Sequence, residues 1–418
     1  MTNLKNSPQT HLETLAVSAG YDPALASGSA KPPAYHSSTF VYPSAMAAKR
    51  LHEAFFDHVD NGATGYIYGR LGHPGLDIVE KRLATLDGGE DAAIFASGMA
   101  TISAIFLAHL VPGDVILHSQ PIYGGTDALI MTELVRLGIG AVGFADGCDP
   151  AVMRAAADAA MARGRVPIIW AETPANPTSS VCDLEEVGKL VDYVALKQGH
   201  RPILGVDNTF LGPFVQSPLK LGADLCMTSL TKYAGGHSDF LAGGVSGAKP
   251  LIARLKIFRT LAGSTLDAHS AWLLARSFET MHLRTERAGE NARAIAEMLV
   301  AHPAIASVNY IRFKPEGSPA RLAFERQCRG GGSTFSFRIK GDEAAVFRFL
   351  DALKILKMAV SLGGTETLIC HPASTTHYAV PRERRQALGI DDATLRISVG
   401  IEHADDLLAD ICQALEAV

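Results

Sequence analysis

The 418-residue sequence has no long run of like charge: 38 Lys and Arg stand against 43 Asp and Glu, for a net charge of −5. Without a basic stripe or tail, nucleic acid and anionic membrane are poor partners. It also has no stretch of about 18 uninterrupted apolar residues, so nothing is expected to span a membrane. The opening residues, Met1 to Thr10, lack the basic-then-apolar pattern of a secretory signal. The six cysteines, Cys148, Cys182, Cys226, Cys328, Cys370 and Cys412, form no C-x-x-C pair. This argues against a zinc site and a disulfide framework, and no metal is expected. A reduced, cytoplasmic protein is the expectation. Internal repeats and low-complexity tracts are absent too.

What is present is core. Apolar residues make up 47% of the chain, enough for one large domain with a smaller partner. Residues 1–65 read as an irregular arm, with Pro32 and Pro33 marking extended backbone. Residues 66–262 alternate short apolar runs with helical stretches such as Met99–Leu110 and Ala151–Ala162. The runs Ala92–Ser97, Val115–His118, Ile168–Glu172, Ile203–Asp207 and Leu225–Ser229 predict strands of a mostly parallel sheet, covered on both faces. Residues 263–418 change character. Asp267–Val300 predicts one long helix or two joined helices, and Ser333–Ile339 and Thr394–Val399 predict strands of a smaller α+β domain.

Chemistry concentrates at the predicted strand ends. Ser229-Leu230-Thr231-Lys232 follows one strand. A lysine there can form a Schiff base while nearby hydroxyls hold a phosphate, although S-x-T-K alone more often marks a solvated loop. The glycines after it, Gly235, Gly236, Gly243 and Gly244, would let backbone approach a ligand closely. Asp207 ends another apolar run, 25 residues before Lys232. An acid at that place can pair with a protonated pyridine nitrogen; it can equally cap a helix. At Ser97-Gly98-Met99-Ala100 a strand meets a helix, which makes either an anion site or an ordinary turn. Tyr123 and Asn176 each follow a strand end, as supporting polar groups or as turn residues.

Taken in order, these segments resemble one family, the Cys/Met-metabolism enzymes that use pyridoxal-5′-phosphate (PLP). The resemblance runs from Pro33 and Ser37-Ser38-Thr39-Phe40 to Arg396-Ile397-Ser398-Val399-Gly400-Ile401-Glu402. Between them stand Ala96-Ser97-Gly98-Met99-Ala100, Tyr123-Gly124-Gly125-Thr126, Thr231-Lys232-Tyr233 with Gly236-His237-Ser238-Asp239, Ser361-Leu362-Gly363-Gly364, and His371-Pro372-Ala373-Ser374-Thr375-Thr376-His377. The resemblance implies an α/β fold of the aspartate-aminotransferase type (fold type I), with a mostly parallel central sheet and a smaller α+β C-terminal domain. It implies a homotetramer built as a dimer of dimers, with the arm reaching the neighbouring subunit.

Carried over residue by residue, Lys232 resembles the imine lysine and proton shuttle. Asp207 resembles the partner of the pyridinium. Tyr123 resembles the ring-stacking residue, with a second role in removing a substrate proton. Gly98, Met99, Ser229 and Thr231 resemble phosphate ligands. Tyr68 and Arg70 resemble the pair that a neighbouring subunit sends to the phosphate. Arg396 resembles the clamp on the substrate carboxylate, helped by Ser361 and Asn176.

Departures from the family pattern bear on substrate. Gly69 precedes Arg70 where serine or threonine is usual, and Gly72-His73-Pro74-Gly75 replaces an N-P-T segment. Gly125 stands where methionine γ-lyases usually carry cysteine, and Glu366 follows Gly364 as in several cystathionine-processing members. His371-Pro372-Ala373-Ser374, however, looks like the sulfhydrylase and methionine-lyase branch. Asp57 and Asp60, in Phe55-Phe56-Asp57-His58-Val59-Asp60-Asn61, form either a solvated loop or a contact for a cationic substrate tail such as that of canavanine.

The implied activity is γ-elimination from a γ-substituted amino acid (methionine, cystathionine, an O-substituted homoserine or a canavanine-like substrate) through a vinylglycine-type intermediate. The alternative within enzymes is γ-replacement, as in a cystathionine γ-synthase or an O-acetylhomoserine sulfhydrylase. Outside enzymes it is a catalytically silent binding relative.

Overall fold

The computed structural model describes residues 10–57, 59–378 and 380–418. Met1–Gln9, most of the segment without a signal pattern, and His58 of the acidic loop lie outside them. The apolar runs of the first half become seven strands: β1 (Asp91–Phe95), β2 (Val115–Ser119), β3 (Gly140–Phe144), β4 (Ile168–Glu172), β5 (Ile203–Asp207), β6 (Leu225–Thr228) and β7 (Gly243–Gly247). They form one sheet in the order β1-β7-β6-β5-β4-β2-β3. The pairings β3/β2, β2/β4, β4/β5 and β5/β6 are parallel, and β7 runs antiparallel to both its neighbours. Along β4, Ile168 and Trp170 enter one apolar core while Ile169 and Ala171 enter another. That period of two is what a strand buried on both faces requires.

Five further strands make the smaller sheet: β8 (Ile305–Asn309), β9 (Thr334–Ile339), β10 (Lys357–Met358), β11 (Leu368–Cys370) and β12 (Thr394–Ser398), in the order β10-β11-β12-β9-β8. Phe335, Phe337, Phe349, Leu395 and Ile397 pack in its core. The long helical pattern before it resolves into two helices, Ala268–Phe278 and Met281–Ala301. Among the described residues, no helix is long and apolar enough to cross a membrane.

Three expectations need correction. The arm is not irregular throughout: it contains the helices Leu12–Ser18 and Ala45–Phe56, the second capped by the Ser44 hydroxyl accepting from the Ala47 N–H. None of the residues of Ala45–Phe56 is buried, so its apolar residues find no core among the described residues to define a face. Gly243 and Gly244 are not ligand-approach glycines; they open β7. A Cβ on Gly243 would lie 2.3 Å from the Ser97 carbonyl oxygen, and one on Gly244 would lie 2.5 Å from Leu83. Their smallness lets β7 pass under the start of the helix Gly98–His109. Finally, β1 and β6 end before Ser97 and Ser229, which frees both serines for the site.

Candidate active site

The carboxyl ends of β1, β2, β4, β5 and β6 open on one cavity of about 540 Å³. Ser97, Gly98, Met99, Tyr123, Asn176, Asp207, Ser229, Thr231, Lys232, Ser361 and Arg396 all line it. Residues separated by three hundred positions in the chain therefore converge where open α/β sheets bind ligands.

At the β1 end, Ser97 caps the helix Gly98–His109 by accepting from the Ala100 N–H at 3.1 Å. The backbone N–H groups of the first helical turn lie at the positive end of the helix dipole. A Cβ on Gly98 would approach the Ser229 hydroxyl to 2.9 Å, so glycine allows that hydroxyl to sit against the helix start. Thr231 turns its hydroxyl to Ala242, donating to the carbonyl at 3.1 Å and accepting from the N–H at 2.9 Å.

Asp207 ends β5 and is buried. Its Oδ1 accepts from both the N–H and the hydroxyl of Thr209, at 3.0 and 2.6 Å, while Oδ2 accepts nothing among the described residues. Burial raises its pKa and the Thr209 bonds oppose that rise. A cation at the free oxygen would restore its ionisation.

Lys232 donates from Nζ to the Ser361 hydroxyl at 3.0 Å. Burial, and then the positive charge of Arg396, brings its pKa down to about 8. A neutral amine, able to attack or to take a proton, is thus accessible near neutral pH. Arg396, on β12, is buried without a carboxylate. Nη1 donates to Asn176 Oδ1 at 3.4 Å, Nη2 donates to the carbonyls of Val360 (2.6 Å) and Ser361 (3.0 Å), and Nε is buried with no partner among the described residues. An orphaned guanidinium N–H in a cavity is a donor in want of an anion.

Tyr68 and Arg70 are not brought into this cavity. Tyr68 is half exposed, and Arg70 donates to the Thr260 carbonyl. Asp57 and Asp60 are exposed and also lie outside it. Two cavity groups went unread in the sequence. Thr209 holds Asp207, and Glu172 ends β4 beside it. Glu172 is buried; its Oε2 accepts from the Tyr123 N–H at 2.6 Å and its Oε1 from the Asn176 N–H at 3.0 Å. Burial, then the Asp207 carboxylate, raises its pKa, and the N–H bonds from Asn176 and Tyr123 oppose that rise. A carboxyl residue closing an apolar run is the same signal that marks Asp207.

A mostly parallel sheet with a lysine, a free-sided aspartate and a glycine-led helix start at its strand ends is the layout of a PLP enzyme of fold type I. The chain belongs to the Cys/Met metabolism PLP-dependent enzymes, whose family pattern matches residues 13–416. It is 36% identical over 415 residues to the L-methionine gamma-lyase of Pseudomonas putida, covering 97% of both chains. It is 38% identical over 409 residues to the cystathionine gamma-lyase of Bacillus subtilis, covering 97% of this chain and 99% of the relative. Among solved structures, cystathionine gamma synthase from Xanthomonas oryzae pv. oryzae superposes with a TM-score of 0.86 at 35% identity, covering 98% of each chain. The cofactor of the family is PLP, and the cavity fits it. The Gly98 cradle suits a phosphate, the free Asp207 oxygen suits a pyridinium, and Lys232 suits an aldehyde carbon.

Proposed function

We propose that this chain is a γ-lyase that releases the γ-substituent of an amino acid derived from homoserine or methionine. The observation that carries the reading is the pairing, in one cavity, of Lys232 at a depressed pKa with Arg396 whose Nε lacks a partner. Relatives named as methionine and cystathionine gamma-lyases support it.

In this reading Gly98, Met99, Ser229 and Thr231 hold the cofactor phosphate, and Tyr123 packs on its ring. Asp207 keeps a proton on the ring nitrogen. When bound, PLP supplies the electron sink that makes the substrate α-proton removable. Arg396 binds the substrate carboxylate, oriented by Asn176 and the Ser361 carbonyl. Lys232 holds the cofactor at rest. With substrate bound, its Nζ, which rests on the Ser361 hydroxyl at 3.0 Å, would take the α-proton. Tyr123, which lines the cavity, would assist a second proton removal.

The N-terminal arm (residues 1–65) is assigned to a neighbouring subunit, residues 66–262 to the cofactor domain, and 263–418 to the C-terminal domain. We assign the chain to a homotetramer made of two dimers, supported by the unburied helix Ala45–Phe56 and by Tyr68 and Arg70 standing outside their own cavity. A cytoplasmic setting accords with six free cysteines.

A γ-synthase reading is favoured by the solved cystathionine gamma synthase at TM-score 0.86. One substrate panel separates the two: methionine, cystathionine, O-acetylhomoserine, O-succinylhomoserine and canavanine, each scored for 2-oxobutyrate with and without cysteine or sulfide. A lyase forms 2-oxobutyrate without a thiol; a synthase forms it poorly and makes a thioether or thiol product when the nucleophile is added.

A further inference from the structure

Glu172 and Asp207 face each other in the parallel register of β4 and β5, so two buried carboxylates share one edge of the cavity. Ionising both is costly, because each is desolvated and each repels the other. A neutral side chain of the same length would fill the space without that cost. What a carboxylate adds is two equivalent acceptor oxygens, able to take two donors at once.

Both oxygens are used, and on opposite sides of the site. Oε2 takes the backbone N–H of Tyr123, which begins the short helix after β2. Oε1 takes the backbone N–H of Asn176, in the loop after β4. Asn176 Oδ1 in turn accepts from Arg396. The Glu172 N–H is itself pinned, donating to the Ser119 hydroxyl at 3.0 Å. One side chain thus joins the loop that carries Tyr123 to the loop whose Asn176 accepts from Arg396.

We infer that Glu172 is a positioning residue that sets Tyr123 over the cofactor ring and Asn176 behind Arg396 through one two-handed carboxylate. The inference rests on the reading of Tyr123 as the stacking residue. It extends that reading by assigning the stacking geometry to the residue that holds the Tyr123 backbone N–H. Glutamine cannot replace it, since an amide offers one acceptor oxygen and sets N–H against N–H at the other end. Aspartate keeps the charge and loses the reach.

The test is a cycle of variants on the full chain, with PLP titrated into apoprotein and followed by visible absorbance and protein fluorescence. Glu172→Gln is expected to weaken PLP binding about 10-fold, the worth of one hydrogen bond. In a Tyr123→Ala background the same change is expected to cost less than about 2-fold, because the two residues act through one contact. In the holoenzyme, KM for the amino acid should rise more than kcat falls. Glu172→Asp should resemble Glu172→Gln, and it carries the cycle if the glutamine variant does not fold. Additive losses of PLP affinity would overturn the inference. So would an aspartate variant that binds PLP and substrate as wild type does, since charge alone would then suffice. Unchanged PLP affinity and KM with a lowered melting temperature would reduce Glu172 to a fold residue. Tyr123→Ala alone tests the stacking reading: if it leaves PLP affinity unchanged, that reading fails, whatever Glu172 does.

Discussion

The strand-end cavity and the N-terminal arm place polar and aromatic residues under opposite conditions. In the cavity, Asp207, Asn176 and Arg396 are buried, and each is held by named partners from its own chain. In the arm, Val41, Met46, Phe55 and Phe56 are exposed apolar side chains. Large exposed apolar patches are the kind of surface that a partner covers. The difference teaches that the two regions must be broken in different ways. Cavity changes should damage the chain that carries them, and arm changes should damage a neighbour.

The largest effect is expected at Lys232. Lys232→Ala should lower kcat by about 10³-fold or more, because the proton shuttle is removed outright. The visible band and the borohydride-trapped adduct should disappear with it. A tryptic map that finds the adduct on another lysine would break the cavity side of the comparison. Asp207→Asn comes next, at about 10²-fold in kcat/KM, since the sink is weakened and not removed. An activity within about threefold of wild type would leave Asp207 as a turn residue held by Thr209.

A buried carboxylate outside the cavity sharpens the contrast. Asp87 is buried, accepts from the Ser246 hydroxyl, and is pushed up to about 7 by burial. The folded chain therefore keeps this proton between about pH 4 and 7 while the unfolded chain loses it. The Asp87 contribution to stability is present below pH 4 and lost as pH rises through 7. Asp87→Asn should raise stability above pH 7 more than at pH 5 and leave kcat alone. Denaturant melts at pH 5 and pH 8 check the sign. A gain no larger at pH 8 than at pH 5 would show that Asp87 titrates normally.

The smallest effect is expected in the acidic part of the arm. If Asp57 or Asp60 meets a cationic substrate tail, Asp→Asn changes should raise KM for canavanine about 5- to 10-fold and hardly alter KM for methionine. Equal effects on both substrates would return the segment to a solvated loop.

How far the sequence could be read follows the same division. β4, β5 and β6 were legible because strands buried on both faces are short, continuous apolar runs. β7 was not, because Gly243 and Gly244 carry no strand preference and are there to pass beneath Ser97 and beside Leu83. The helix Ala45–Phe56 was missed since no core among the described residues marks its face. Asp207 and Lys232 could be read from side-chain chemistry at strand ends. Glu172 escaped because it works through backbone N–H groups of Tyr123 and Asn176, which no residue identity reveals. Arg396 lay on a legible strand, yet only the family resemblance assigned it a role. Its encirclement by Val360, Ser361 and Asn176 is tertiary.

The central claim is that each site is completed across a two-fold interface, with Lys232 from one chain and Arg70 from the other. Mixed dimers of Lys232→Ala and Arg70→Ala test it most directly. Each variant alone should be nearly inactive. In a mixed dimer one site inherits both defects and the other inherits neither, so co-expression should restore about half the activity per dimer. Verified mixed dimers that remain inactive would contradict the claim and return Arg70 to its own subunit, where its bond to the Thr260 carbonyl would be its function.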